Sequence, residues 1–221
     1  SAASDVYKRQ EQGRGLADLG HQVAIATAVR PHGRWRAEFT GQGNHAGTTL
    51  IPDRHDPVIP VAQTVLAARE AAEREGCVAT VGRINVEPGG TNVIASVATM
   101  WLDCRAEESQ TVTKVVEGIQ QTSQAAADKH GCQVVWTRES WTDRTAFDLC
   151  ARMLEILGTD TPQLSTGAGH DAATLATTMP TGMLFVRNPT GASHCPAESA
   201  SDADCDAGVE ALQAVLEELV Q

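Results

Sequence analysis

No apolar run in this chain approaches the roughly 20 residues that a membrane helix needs, and its start lacks the charged-then-apolar order of a signal peptide. A cytoplasmic protein without a membrane partner follows. Basic residues are scarce: 17 Lys and Arg stand against 28 Asp and Glu, for a formal net charge of −11. That balance excludes the basic face by which proteins hold nucleic acid or anionic membranes, and favours small-molecule chemistry. The cysteines Cys77, Cys104, Cys132, Cys150, Cys195 and Cys205 form no C-x-x-C pair, which removes the usual signal of a structural zinc or redox site. They read as buried thiols in a reducing compartment. Cys195 adjoins His194, but no further Asn/Asp–His arrangement marks it as a nucleophile. Neither an internal repeat nor a low-complexity segment is visible. What is present is 221 residues at 42% apolar composition, enough for one large core or two small ones.

The pattern divides the chain into four stretches. Residues 1–10 include Asp5-Val6-Tyr7-Lys8-Arg9-Gln10, which resembles the translation of a transposase mosaic end used in preparing sequencing libraries, and are set aside as a non-native tail. Residues 11–33 read as a remnant of an α/β domain. Residues 34–142 then run strand, helix, strand, strand, helix, strand. Trp35 to Thr40 alternates as a strand; Pro57 opens a helix with Val58, Val61, Val65 and Ala68 on one face, and Gly76 stops it. Cys77 to Val86 and Val93 to Ala106 form a hairpin-like pair about Glu87-Pro88-Gly89-Gly90. A second helix buries Val112, Val115, Val116 and Ile119 and ends at His130-Gly131, before a last strand from Cys132 to Thr137. This is the split βαβ order of ferredoxin-like domains. Residues 143–221 return to α/β character, with a helix near Phe147 to Leu157, a buried strand Met183 to Val186, and a final helix expected to turn Val209, Leu212, Leu216 and Leu219 inward. One clear strand makes no sheet, so this part is expected to need strands from elsewhere.

Several motifs carry chemistry. His194, in Ser193-His194-Cys195-Pro196-Ala197-Glu198, follows the buried strand, where α/β enzymes place their sites; it reads as a zinc ligand or as a loop histidine bonded to backbone. His45 lies in Gly43-Asn44-His45-Ala46-Gly47-Thr48-Thr49, where it could donate to a developing oxyanion or sit in an ordinary turn. Arg105 ends an apolar strand, with a fork suited to a ligand carboxylate, to its neighbour Asp103, or to a solvated edge. Asn92 stands upstream of it. Gly167-Ala168-Gly169-His170-Asp171-Ala172 is a glycine turn entering a helix, an anion site or a helix start capped by Asp171, with His170 and Asp171 also open as support for a metal.

In this order the motifs, together with Glu11-Gln12-Gly13 and Asn92-Val93-Ile94, resemble the zinc-dependent amidohydrolases that cleave ureido groups: allantoate amidohydrolase, N-carbamoyl-L-amino-acid hydrolase and bacterial-type β-ureidopropionase. The resemblance runs from Glu11 to the end. It implies an α/β zinc-hydrolase catalytic domain, only its C-terminal part present here, with an inserted ferredoxin-like lid that also forms a homodimer. It implies two zinc ions per full subunit, with manganese an alternative, and a ureido acid as substrate. His194 would be the last metal ligand. His45 would be catalytic, reaching from the lid into the partner's site to stabilise the tetrahedral intermediate. Asn92 and Arg105 would bind substrate, Arg105 on its carboxylate, with Gln12 and the turn at Gly169 completing the pocket.

The chain departs from the family's pattern in one respect. That pattern begins with a His-x-Asp pair, a bridging Asp and a Glu pair, and places a His two residues before Glu-Gln-Gly; here Arg9 holds the last position. His55-Asp56 and Glu107-Glu108 have neighbourhoods of a loop and a helix start and do not substitute. An inactive fragment of a di-metal hydrolase is therefore expected. The rival readings are a metal-free dimerisation or carboxylate-binding module and a zinc peptidase of the same superfamily.

Overall fold

The computed structural model describes residues 5–219. In chain order the elements begin with β1 (Asp5–Gln10), α1 (Gly15–Leu19), β2 (Val23–Val29), β3 (His32–Thr40) and β4 (Asn44–His45). Next come α2 (Val58–Glu75), β5 (Val78–Glu87), β6 (Val93–Ile94), β7 (Val97–Arg105), α3 (Ser109–Lys129) and β8 (Gln133–Thr142). The chain closes with β9 (Thr145–Ala146), α4 (Cys150–Leu157), β10 (Gln163–Thr166), α5 (Asp171–Leu175), β11 (Thr181–Val186) and α6 (Asp202–Leu219). The fold is mixed α/β and comprises two compact units, one from Pro31 to Asp143 and one made of the chain before and after it.

The 31–143 unit is a four-stranded antiparallel sheet in the order β5-β7-β3-β8, with α2 and α3 on one face. Alternation fixes the register: Ala98, Met100, Leu102 and Cys104 of β7 face the helices, while Thr99, Trp101, Asp103 and Arg105 take the other side. Val112, Val115, Val116 and Ile119 of α3 are all buried in that core. Gly76 and Gly131 close the two helices in the left-handed region, at φ 64 and 63 degrees, where a Cβ would be strained. The first strand begins at His32 and the last reaches Thr142, so both outlast the alternation visible in sequence. Opposite Arg34 and Trp35, β8 carries one extra residue, Glu139, and β5 carries Gly82 between Val81 and Arg83; the bulge in β8 interrupts the period of two and hides its far end from a pattern search.

In the second unit β1-β11-β2-β10 form a sheet, with β9 added on β2. β1 runs parallel to β11, β11 antiparallel to β2, and β10 parallel to β2. Successive residues of β11 feed opposite faces: Met183 and Phe185 pack with Leu16 and Ala172 of α1 and α5, and Leu184 with Met153 and Val215 of α4 and α6. All six residues are buried, as expected for a central strand covered on both faces.

Three expectations change. Asp5–Gln10, set aside as tail, is an edge strand whose Val6 packs on the Ile25–Leu184 cluster; residues 1–4 lie outside the described residues. The 143–221 part holds more strands than the one expected, since β9 and β10 join β11, and the strands it takes from elsewhere are β1 and β2. Finally, Val209 and Leu216 of α6 are exposed, at 53% and 42%, and the inward stripe is Gly208, Ala211, Leu212, Val215 and Leu219. Gly208 decides this: a Cβ there would lie 2.5 Å from Val186, so the helix seats its small residue against β11.

Candidate functional site

Two groups of the expected residues come together, one in each unit. In the 31–143 unit, β4 and β6 pair as a short ribbon with His45 opposite Val93, and the Ala46 N–H donates to the Asn92 carbonyl at 3.0 Å. His45 and Asn92 therefore share one end of the unit. The loop after His45 folds back on it: the Thr49 hydroxyl donates to the His45 carbonyl at 2.8 Å, and Arg54 ties the loop through the Ala46 and Thr49 carbonyls. The Gly47 N–H donates to Nδ1 of His45 at 3.0 Å. An imidazole that accepts at Nδ1 carries its proton, when neutral, on Nε2. The exposed ring is thus held with a donor facing outward. A Cβ at Gly47 would meet the His45 ring at 3.1 Å, so the glycine leaves the ring its place.

Arg105 is not part of that group. β7 carries it eight residues beyond Val97, the end next to β6, or about 26 Å of extended chain. Its Nε and one Nη bond both oxygens of Asp103, at 2.6 and 2.8 Å, and Arg34 adds a contact to the same carboxylate at 3.2 Å. The fork thus forms the pairing with its neighbour Asp103. Burial pushes the Asp103 carboxyl up, but Arg105 and Arg34 outweigh it and hold it below the usual carboxylate range. The same pair raises Arg105.

In the other unit, Gln12 and His194 meet through Ser193 and Glu198. Gln12 Nε2 donates to Glu198 Oε1 at 3.2 Å, its Oε1 accepts from the Ser193 hydroxyl, and the His194 N–H donates to Glu198 Oε2 at 2.9 Å. His194 is the one non-glycine among the described residues with a positive φ, 57°, a strained conformation for a side chain with a Cβ. The motif reading assigns Glu198 no role of its own; its spacing of four from His194 is the signal available. Glu11 accepts the Gly15 and Leu16 N–H groups at 2.7 and 3.0 Å and so starts α1 with a carboxylate.

Gly169 lies in the exposed turn between β10 and α5. Asp171 does not cap α5 with its side chain; it pairs instead with Arg9 at 2.9 Å. His170 is half-buried beside Phe185, and burial, aided by Arg9 and opposed by Asp171, lowers its pKa below 6.5.

Among the described residues, no three His, Cys, Asp or Glu side chains converge as a metal-binding group. A zinc site needs three or four protein ligands, so this chain's residues do not by themselves fit a metal centre, and His194 supplies one ligand at most. Among the described residues, no helix is long and apolar enough to cross a membrane.

Comparison with known proteins agrees with this frame. The chain is 34% identical to an N-carbamoyl-L-amino acid amidohydrolase of Geobacillus stearothermophilus, over 96% of this chain and 53% of that protein. It is 28% identical to an allantoate amidohydrolase of Escherichia coli, over 95% and 53%. A solved structure of AtUAH in complex with (S)-hydroxyglycine superposes with a TM-score of 0.89 at 27% identity, covering 98% of this chain and 53% of that one. An amidase of the hydantoinase/carbamoylase family from Burkholderia vietnamiensis follows at 0.88 and 26%, covering 97% and 54%. The chain spans about half the length of the curated relatives it matches. The model of peptidase family M20/M25/M40 matches residues 61–218, across both units, and the chain belongs to that family.

Proposed function

We propose that this chain is part of a metal-dependent hydrolase of ureido C–N bonds, acting on allantoate or an N-carbamoyl-L-amino acid. The observation that carries the reading is His45, held by Gly47 as an outward Nε2–H donor beside Asn92. A ureido carbon is a poor electrophile because two nitrogens donate into its carbonyl. A fixed donor aimed at the oxygen stabilises the charge that develops there on attack. Gln12 and Arg105 orient the substrate, Arg105 by exchanging its Asp103 partner for the ligand carboxylate. Zinc, with His194 as one ligand, requires further ligands from outside the 221 residues, so the chain alone is inactive.

The protein acts as a homodimer. A ureido acid is far shorter than the span of β7, so His45 and Asn92 of one subunit cannot share it with their own Arg105; a second subunit supplies the complement. The buried stripe of α2, with Val61 and Ala68, faces its own sheet, and the opposite face of the helix is left for a partner. Ile59, Ala62 and Leu66 form an exposed apolar line on that face, and β5 leaves Val78 and Ile84 open at the sheet edge. The exposed line on α2 supports a contact with another protein there.

The test is to recover the DNA upstream of the Glu11 codon and assay the complete reading frame for ammonia release from allantoate and N-carbamoyl-L-amino acids, with and without chelator. Chelator-sensitive release is expected. Hydrolysis of dipeptides alone would replace this reading with that of a peptidase, and turnover by the isolated chain would refute its inactivity.

A further inference from the structure

We infer that Asn188 is a positioning residue that sets Gln12 and His194 in one arrangement, and its functional consequence rests on the reading of those two as site residues. Asn188 follows β11 and is fully buried, at 0% exposure. Its amide is used to capacity. Nδ2 donates to the carbonyls of Glu11 and Ala192 at 3.1 and 2.7 Å, and Oδ1 accepts from the Thr190 hydroxyl and the Gly191 N–H at 3.0 and 3.2 Å. An amide offers two donors and two acceptor positions, so nothing remains for a ligand.

Three of the four bonds shape the loop of Asn188 itself, and the fourth, to Glu11, joins it to a segment that chain connectivity leaves far away. That segment is the turn from β1 into α1, which carries Gln12; the loop, after β11, carries His194. Glu11 is fixed independently, its N–H donating to Val186 at 2.9 Å and its carboxylate holding the first turn of α1. Asn188 thus anchors the loop to a backbone that is already rigid. The loop needs such an anchor, because Gly191 at φ 65° and His194 at φ 57° both occupy the left-handed region, which a histidine adopts only when its surroundings impose it. The Glu198 bridge between Gln12 and the His194 N–H is the downstream result. A buried side-chain network of this kind specifies one conformation when every member is satisfied.

The test uses nuclear magnetic resonance on the 221-residue chain. In the unsubstituted protein the Asn188 side-chain amide protons should exchange as slowly as the β2 backbone amides, and the His194 Cα shift should report a left-handed residue. In Asn188→Ala the Gly191 and His194 amides should exchange about tenfold faster or more, with the His194 Cα shift moving toward extended values. Met153→Ala, buried in the same unit, serves as the control: it should lower Tm while leaving the His194 shift in place. The inference is overturned if the His194 signals survive in Asn188→Ala, or if both variants move them alike, which would mark a merely structural role. Should Asn188→Ala not fold, the unsubstituted protein decides, since rapid exchange of the Asn188 amide protons overturns the inference by itself. Zinc titration separates the two readings: a left-handed His194 without zinc affinity in the complete protein removes the metal role and leaves Asn188 as the anchor.

Discussion

The 31–143 unit is drawn from one uninterrupted stretch, whereas its companion is assembled from two stretches with that whole unit between them. In the first, every strand finds its partners inside that one stretch, β5 and β7 across a turn and β3 and β8 across as much as the 110 positions from His32 to Thr142, and one face of the sheet packs on two helices. In the second, β1 pairs with β11 some 176 residues away, as Asp5 opposite Thr181 shows. The difference teaches where stability is local and where it depends on distant chain being in place. The candidate residues divide the same way: His45 and Asn92 are held by their own loop and ribbon, while Gln12 and His194 are arranged only when the two ends of the chain meet.

The strongest way to break this comparison is to separate the units. Residues 31–143 alone should unfold cooperatively with a stability of about 5–10 kcal/mol, whereas 144–221 alone should show no transition; denaturant titration followed by circular dichroism checks both. A cooperative 144–221 would mean that β1 and β2 are dispensable. Next in size, Phe39→Ala and Phe185→Ala each remove a buried ring from one unit, and each should cost about 3–5 kcal/mol. If the units unfold separately, each variant shifts one of two calorimetric transitions; a shared shift would join them.

Leu66→Lys sharpens the contrast at the surface. It leaves the α2 core untouched, since Leu66 is exposed, and should weaken self-association about tenfold or more, read by sedimentation equilibrium. An unchanged dimer would move the interface off α2. The smallest effect concerns pH. Burial, aided by Arg9, lowers the His170 pKa in the folded chain, so the unfolded chain binds more protons between the lowered folded pKa and about 6.5. Stability should therefore rise with pH through that window and be lost as pH falls through it. Asp103 and Asp204 are held below the usual carboxylate range, and their contributions fade only in more acid solution. His170→Gln should flatten the slope of Tm between pH 5 and 7.5 (chosen to bracket the window) by about 1–3 °C; an equal slope in both proteins would remove His170 as its source.

Much of the 31–143 unit is legible in sequence because its signals are short-range. Gly76 and Gly131 mark helix ends, and the α3 stripe from Val112 to Ile119 repeats at the helical period. The far end of β8 is not legible, because the bulge at Glu139 breaks alternation where a neighbour, rather than the sequence, sets the pairing. On α6, Val209 and Leu216 look inward on apolar character alone, and the close seat of Gly208 against Val186 turns the helix. At the site, His45, Asn92, Gln12 and His194 can be picked out by motif, but the sequence leaves Arg105 between a ligand and Asp103, and only packing forms the pair with Asp103.

By itself the sequence determined the periodicities, the glycine stops and the residue types of each motif, all of which depend on neighbours within a turn or a strand. Tertiary structure alone decided that Asp5–Gln10 is a strand, that Asn188 joins Glu11 to the loop of His194, and that Arg105 stands a strand's length from His45. The physical reason is the range of the interactions: a buried amide or a parallel strand is satisfied by partners more than 170 residues away, and no local pattern encodes which partner arrives.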